Sequence, residues 1–166
     1  MENPVPVFAA LKKRLEATHR LAVVGIGDEL SSSDRLGMTA AWEIDRQKIP
    51  GVQVFLAGTV PENITGTLRR YGPDHVLFLD AAEMGKRPGT LAIIAPGQVR
   101  ARFFSTHALP LPVVMQYIER EIGAPVTLLG IQPGNDRNNT IDGDTLPYID
   151  NNLGLLSAFL KKQLSR

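Results

Sequence analysis

The run Leu21–Ile26, L-A-V-V-G-I, contains no polar side chain and no alternation. A strand with one wet face alternates apolar and polar residues, so a strand that does not alternate must be covered on both faces. Residues 76–79 (V-L-F-L) and Val126–Ile131 (V-T-L-L-G-I) are similar. Residues 52–56 and 90–94 supply two further strand candidates, the latter bounded by Pro-Gly pairs. Between the runs lie segments of helical spacing. Val7, Leu11 and Leu15 share one face near the start, and Leu36, Ala40, Ala41 and Ile44 give a second stripe. A helix begins near Pro61-Glu62, where proline and an acid both suit a first turn. Residues 111–122 form the next helix. Residues 150–164 form the last, with Leu153, Leu156, Phe159 and Leu160 on its buried side. Strands alternating with helices predict an α/β class: a three-layer α/β/α sandwich with a twisted, mostly parallel sheet of about five strands. No linker, repeat or low-complexity tract divides the 166 residues, so a single domain over 1–166 is expected.

Composition narrows the function classes. Eighteen basic and 17 acidic residues give no broad attraction to nucleic acid or an anionic membrane. Cysteine is absent, which removes disulfides, thiolate zinc sites and a cysteine nucleophile. No apolar stretch approaches the roughly 18 residues that span a bilayer. The first 15 residues place their basic side chains after the apolar ones, the reverse of a signal peptide. A cytoplasmic location is the expectation.

In open α/β sheets, groups beyond the carboxyl ends of strands converge on one crevice. Three side chains qualify. Asp34 follows the glycine turn after the first strand, Asp80 closes H-V-L-F-L-D, and His107 sits in S-T-H-A-L-P-L. Two carboxylates and an imidazole suit a divalent transition metal, and three ligands leave positions for water or substrate. Each also has a plainer use. Asp34 or Ser33 would make a good helix N-cap, and capping is the commoner role of such an aspartate. Asp80 ends an apolar strand and, if buried, needs a cation, a metal or backbone donors. A lone histidine such as His107 is more often structural. His19 lies in a basic turn that reads as surface, and His75 falls at the opposite end of its strand from Asp80.

Other motifs fail. V-G-I-G-D at 24–28 lacks the third glycine of a dinucleotide turn, since Leu30 stands there, and no phosphate-loop lysine follows. The polar loop 134–148, with Asp136, Asp142 and Asp144, lacks EF-hand spacing. No G-x-S-x-G elbow or H-E-x-x-H helix occurs. Two readings from other classes stay open on the residues alone. One is a non-catalytic nucleotide- or small-ligand-binding domain, and the other a hydrolase with a permanently bound divalent metal.

Taken together, five segments in order resemble the [NiFe]-hydrogenase maturation endopeptidases, nearest the branch serving hydrogenase 3 of the formate-hydrogenlyase type. They are G-I-G-D-E-L-S-S-S-D-R-L-G (25–37), G-T-V-P-E-N (58–63), L-D-A-A-E-M-G (79–85), T-H-A-L-P-L (106–111) and L-G-I-Q-P (129–133). The resemblance implies a protease that removes the C-terminal extension of the hydrogenase large-subunit precursor after nickel insertion. It carries the family's metal ligands onto Asp34, Asp80 and His107, which are then also the catalytic candidates. Nickel would arrive held by the substrate, and other divalent ions such as cadmium or zinc can occupy such a set. The implied partner is the large-subunit precursor, alone or with its maturation chaperone, met by a monomer that binds neither nucleic acid nor membrane. Two departures stand out. Asp28 replaces the usual asparagine, and Ser33 replaces the first of an acidic pair. Asp28 is expected to restore charge near the site.

Overall fold

The computed structural model describes residues 5–31, 34–98, 109–134 and 146–165. Among the described residues five strands form one sheet: β1 (Leu21–Ile26), β2 (Val52–Gly58), β3 (His75–Ala81), β4 (Leu91–Ile93) and β5 (Val126–Ile131). Their order in space is β2-β1-β3-β5-β4. All neighbours are parallel except β4, which runs antiparallel to β5. The α-helices among the described residues are α1 (Val5–Arg14), α2 (Leu36–Arg46), α3 (Thr65–Tyr71), α4 (Leu111–Glu121) and α5 (Leu146–Leu164).

The unbroken apolar runs behave as their composition requires. β1, β3 and β5 are buried along their whole length. Val23, Leu77, Leu79 and Leu129 face Leu11 of α1, Ala40 and Ile44 of α2, and Leu153 and Leu156 of α5. Ala22, Val24, Val76, Phe78 and Leu128 face Leu68 of α3 and Val114 and Ile118 of α4. The strand pleat sends successive residues to opposite faces, so each run feeds two cores and three layers result. Burying one such side chain is worth about 2 kcal/mol. β2 lies at the edge and is only partly covered, with Leu56 exposed.

Local structure departs from the sequence expectation at several points. β3 extends from His75 to Ala81, so Asp80 is its penultimate residue rather than its last. β4 is shorter than 90–94 and reversed. The segment after β2 opens as a 3-10 turn over Pro61–Ile64 before α3 begins, and α3 stops at Gly72, which adopts φ +65°. α5 starts four residues earlier than position 150.

The end of the sheet where β1 and β3 begin is tied down by side chains. The Asp74 carboxylate accepts the main-chain N–H groups of His19 (2.9 Å) and Arg20 (3.0 Å). The Arg20 guanidinium lies 4.6 Å from the centre of the Tyr71 ring. His75 is buried there, 2.9 Å from Thr127 Oγ1 on β5. Burial, helped by the Arg14 charge and opposed by Asp74, lowers its pKa to about 4. His75 and Asp80 are five strand residues apart, about 17 Å, so His75 belongs to the far end, as its place in the sequence implied.

Candidate functional site

The carboxyl ends of β1 and β3 are capped by a loop that doubles back and then enters α2. Two glycines permit this. Gly27 has φ +143°, and a Cβ there would sit 2.0 Å from the Asp34 carbonyl oxygen. Gly37, in the first turn of α2, lies against two strand ends at once. A Cβ on it would meet the carbonyl oxygens of Leu79 at 2.2 Å and Ile26 at 2.3 Å. Main chain therefore rests directly on main chain. Asp34 lies three residues before Gly37 and Asp80 one residue after Leu79, so this contact brings both acids to the same end of the sheet.

Asp34 is 6% exposed and Asp80 1% exposed. The Asp34 carboxylate accepts the Asp28 main-chain N–H through Oδ2 at 3.2 Å. It does not cap α2: Arg35 precedes the first regular residue, with no side-chain cap. Ser31 instead holds the turn that precedes the helix. Its Oγ accepts the Asp34 N–H at 3.4 Å and its carbonyl the Arg35 N–H at 2.9 Å. The plainer use offered by the sequence, an N-cap on α2 from Asp34 or Ser33, is not seen at Asp34. Asp28 holds Asp34 through its main chain, while its own carboxylate accepts the Leu30 N–H at 2.9 Å.

Asp80 shares the strand pleat of Val76 and Phe78, the residues facing α4. In the sheet it pairs with Gly130 of β5, and Gly130 with Ala92 of β4. Just beyond it, the chain is gripped by Gln132, which the sequence reading included only within the L-G-I-Q-P segment and gave no role of its own. Gln132 is 1% exposed. Its Oε1 accepts the N–H groups of Met84 (2.6 Å) and Lys86 (3.2 Å), and its Nε2 donates to Glu83 Oε1 (3.0 Å). The available signal was a lone amide following an apolar strand, a group that must find partners once buried.

His107 lies outside the described residues, as do Ser33 and the acids of the polar loop, Asp136, Asp142 and Asp144. Among the described residues no group of three or more His, Cys, Asp or Glu side chains is placed to hold a metal ion. Asp34 and Asp80 are thus the two site candidates that the structure positions.

Among the described residues no helix is long and apolar enough to cross a membrane. A family model described as HycI, hydrogenase maturation protease, matches residues 40–151. A relative in Methanocaldococcus jannaschii, provisionally named a hydrogenase maturation protease, is 34% identical over 131 residues, covering 74% of this chain and 78% of that one. The hydrogenase 3 maturation protease of Escherichia coli K12 is 31% identical over 109 residues, covering 65% and 69%. The crystal structure of the [NiFe] hydrogenase maturation protease HycI from Thermococcus kodakarensis superposes with a TM-score of 0.78 at 27% identity, covering 95% of this chain and 99% of that one. The E. coli maturating endopeptidase HybD shares the fold, with a TM-score of 0.65 at 22% identity, over 86% of this chain and 93% of that one. On this sequence match and shared fold, the chain belongs to the HycI family of hydrogenase maturation proteases.

Proposed function

We propose that this endopeptidase removes the C-terminal extension of a [NiFe]-hydrogenase large-subunit precursor once nickel has been inserted, with Asp34, Asp80 and His107 as its metal-contacting and catalytic residues. The observation that carries the reading is the placement of two buried carboxylates at one sheet end by the Gly27 and Gly37 contacts. A carboxylate buried out of water is costly to keep charged, and a divalent cation held at that sheet end would offset the cost for both acids. Chain connectivity supports the third member. α4 descends from the Asp80 end of the sheet, because β5 restarts at the His75 end. Four residues separate His107 from Leu111 at the start of α4, a tether of at most about 14 Å.

The donor set is two oxygens and one nitrogen without thiolate, a combination that suits nickel, cadmium or zinc weakly. Nickel is here cargo: it comes held by the precursor, and these side chains complete its surroundings. Bound that way, it supplies Lewis acidity beside the scissile carbonyl. A carboxylate of Asp34 or Asp80 takes a proton from the attacking water as its oxygen bonds to the carbonyl carbon. The proton then passes to the departing amine nitrogen as the C–N bond breaks. The protease acts as a cytoplasmic monomer on the precursor, alone or with its chaperone.

The test incubates the protein with nickel-loaded and nickel-free precursor and follows loss of the C-terminal peptide by mass spectrometry. Cleavage of the loaded form alone is expected, with His107→Ala folded but inactive. Equal cleavage of both precursors, or normal cleavage by folded His107→Ala, would overturn the assignment.

A further inference from the structure

Among the described residues the antiparallel strand β4 is the last of the sheet, and its ladder to β5 fixes which way its backbone groups point. Gln132 N–H donates to the Thr90 carbonyl and Ile94 N–H to the Leu128 carbonyl, both at 2.9 Å. Antiparallel partners exchange both their bonds at every second pair, so Thr90, Ala92 and Ile94 bond inward. Leu91 and Ile93 therefore direct their N–H and C=O groups away from β5. Beyond that edge is a cleft of about 650 Å³. Val7 and Ala10 of α1 form one wall, Tyr148 of α5 another, and Met84 and Lys86 line it on the side of the catalytic segment. The Tyr148 wall is braced: the Arg87 guanidinium lies 3.9 Å from its ring centre, and Asn152 Nδ2 donates to the Gly89 carbonyl at 2.9 Å.

We infer that this cleft receives an extended segment of the precursor polypeptide, which adds as a further strand along β4. The inference rests on the protease reading above and deepens it by naming how the substrate is held. The outward groups recur on alternate residues, the spacing that an extended peptide matches and a compact ligand does not. A protease substrate must in any case be extended where it is cut. The apolar walls suit a segment whose alternate side chains are apolar, and the volume falls in the range of occupied ligand sites. The cleft is also continuous with the catalytic end. Met84 and Lys86 belong to the stretch that leaves β3 directly after Asp80, and Asp80, Gly130 and Ala92 stand in one row across the sheet. A strand laid outside β4 lies about 15 Å from Asp80 across three interstrand spacings, a distance that four or five extended residues cover. The cleft thus anchors residues near the scissile bond but not at it.

The test is Ala10→Trp, an exposed position whose enlarged side chain fills the cleft without entering the core. Wild type, Ala10→Trp and the site variant Asp80→Asn are compared on the nickel-loaded precursor, with thermal melting run alongside. Ala10→Trp is expected to keep its melting temperature and kcat while KM rises tenfold or more; Asp80→Asn is expected to lose kcat. In wild type mixed with an excess of the precursor's C-terminal peptide, the Leu91 and Ile93 amides should gain protection from hydrogen exchange. Precursor processing by Ala10→Trp with wild-type KM would overturn the inference while leaving the protease reading intact. A concentration-dependent dimer of the wild type that Ala10→Trp abolishes would also overturn it, by assigning the edge to a second copy. Failure of wild type to cleave the precursor at all would instead strike the protease reading.

Discussion

Replacing Gly37 by alanine tests the packing that places the site. The added methyl would stand 2.2 Å from one carbonyl oxygen and 2.3 Å from another, where real Cβ contacts essentially never fall below 3.0 Å. Both oxygens belong to strand ends held by their ladders, so neither can rotate aside as a side chain could. α2 must lift by about 1 Å to restore van der Waals contact. Overpacking of this kind costs about 3 kcal/mol, which for a chain of this length lowers Tm by roughly 6–12 °C. The same lift carries Asp34 with it, and in the role proposed for Asp34 a displacement of about 1 Å can cost about 100-fold in rate. Gly154, exposed within α5 with nothing within 4 Å of its added Cβ, is the matched control. Gly154→Ala should gain about 0.5–1 kcal/mol, the usual preference for alanine in a helix. Melting by circular dichroism and precursor processing at 20 °C, well below either midpoint, read the two effects separately. Gly37→Ala with wild-type melting and wild-type processing would refute the idea that main-chain contact sets the position of Asp34.

Two further predictions concern buried polar groups. The His75 pKa is lowered from 6.5 to about 4, so the unfolded chain binds the proton more readily than the folded one. Stability is therefore full above pH 6.5, falls as pH drops through that window, and levels off below about pH 4, a loss on the order of 3 kcal/mol. Urea midpoints at pH 7 and pH 4.5 measure it, and His75→Gln should show a shallower fall; an identical slope in that variant would assign the effect to other groups. Gln132→Ala strips partners from the Met84 and Lys86 N–H groups and should destabilise by about 2–4 kcal/mol. Amide exchange at Met84 should rise well above the general increase, and exchange that rises evenly over the whole chain would show that Gln132 is not a local clamp.

The sequence made the sheet legible because three central strands are apolar without interruption, a pattern with few other uses. It also located the acids, since Asp80 is the lone charge ending such a run. The helix start was less legible. Ser33-Asp34 has the composition of a cap, but the bond from the Asp28 main chain to Asp34 depends on a loop fold that local propensity does not encode. The reversal of β4 was not legible either. A three-residue strand carries no periodicity, and its direction is decided by pairing with β5, a contact distant in sequence. Gln132 was quoted without a role because most of its side-chain partners lie 46 to 49 positions away.

The seating of α2 on bare main chain bears on how the molecule can change over generations. Spacing between the acids is governed by atomic radii rather than by the choice of side chains beneath. Exchanges among Leu, Ile and Met at core positions such as Ile44 or Leu129 can shift stability while the aperture at the sheet's end stays as it is. Tolerance to drift in the interior and constancy of that aperture would then be separable traits, divided by one residue that has no side chain at all.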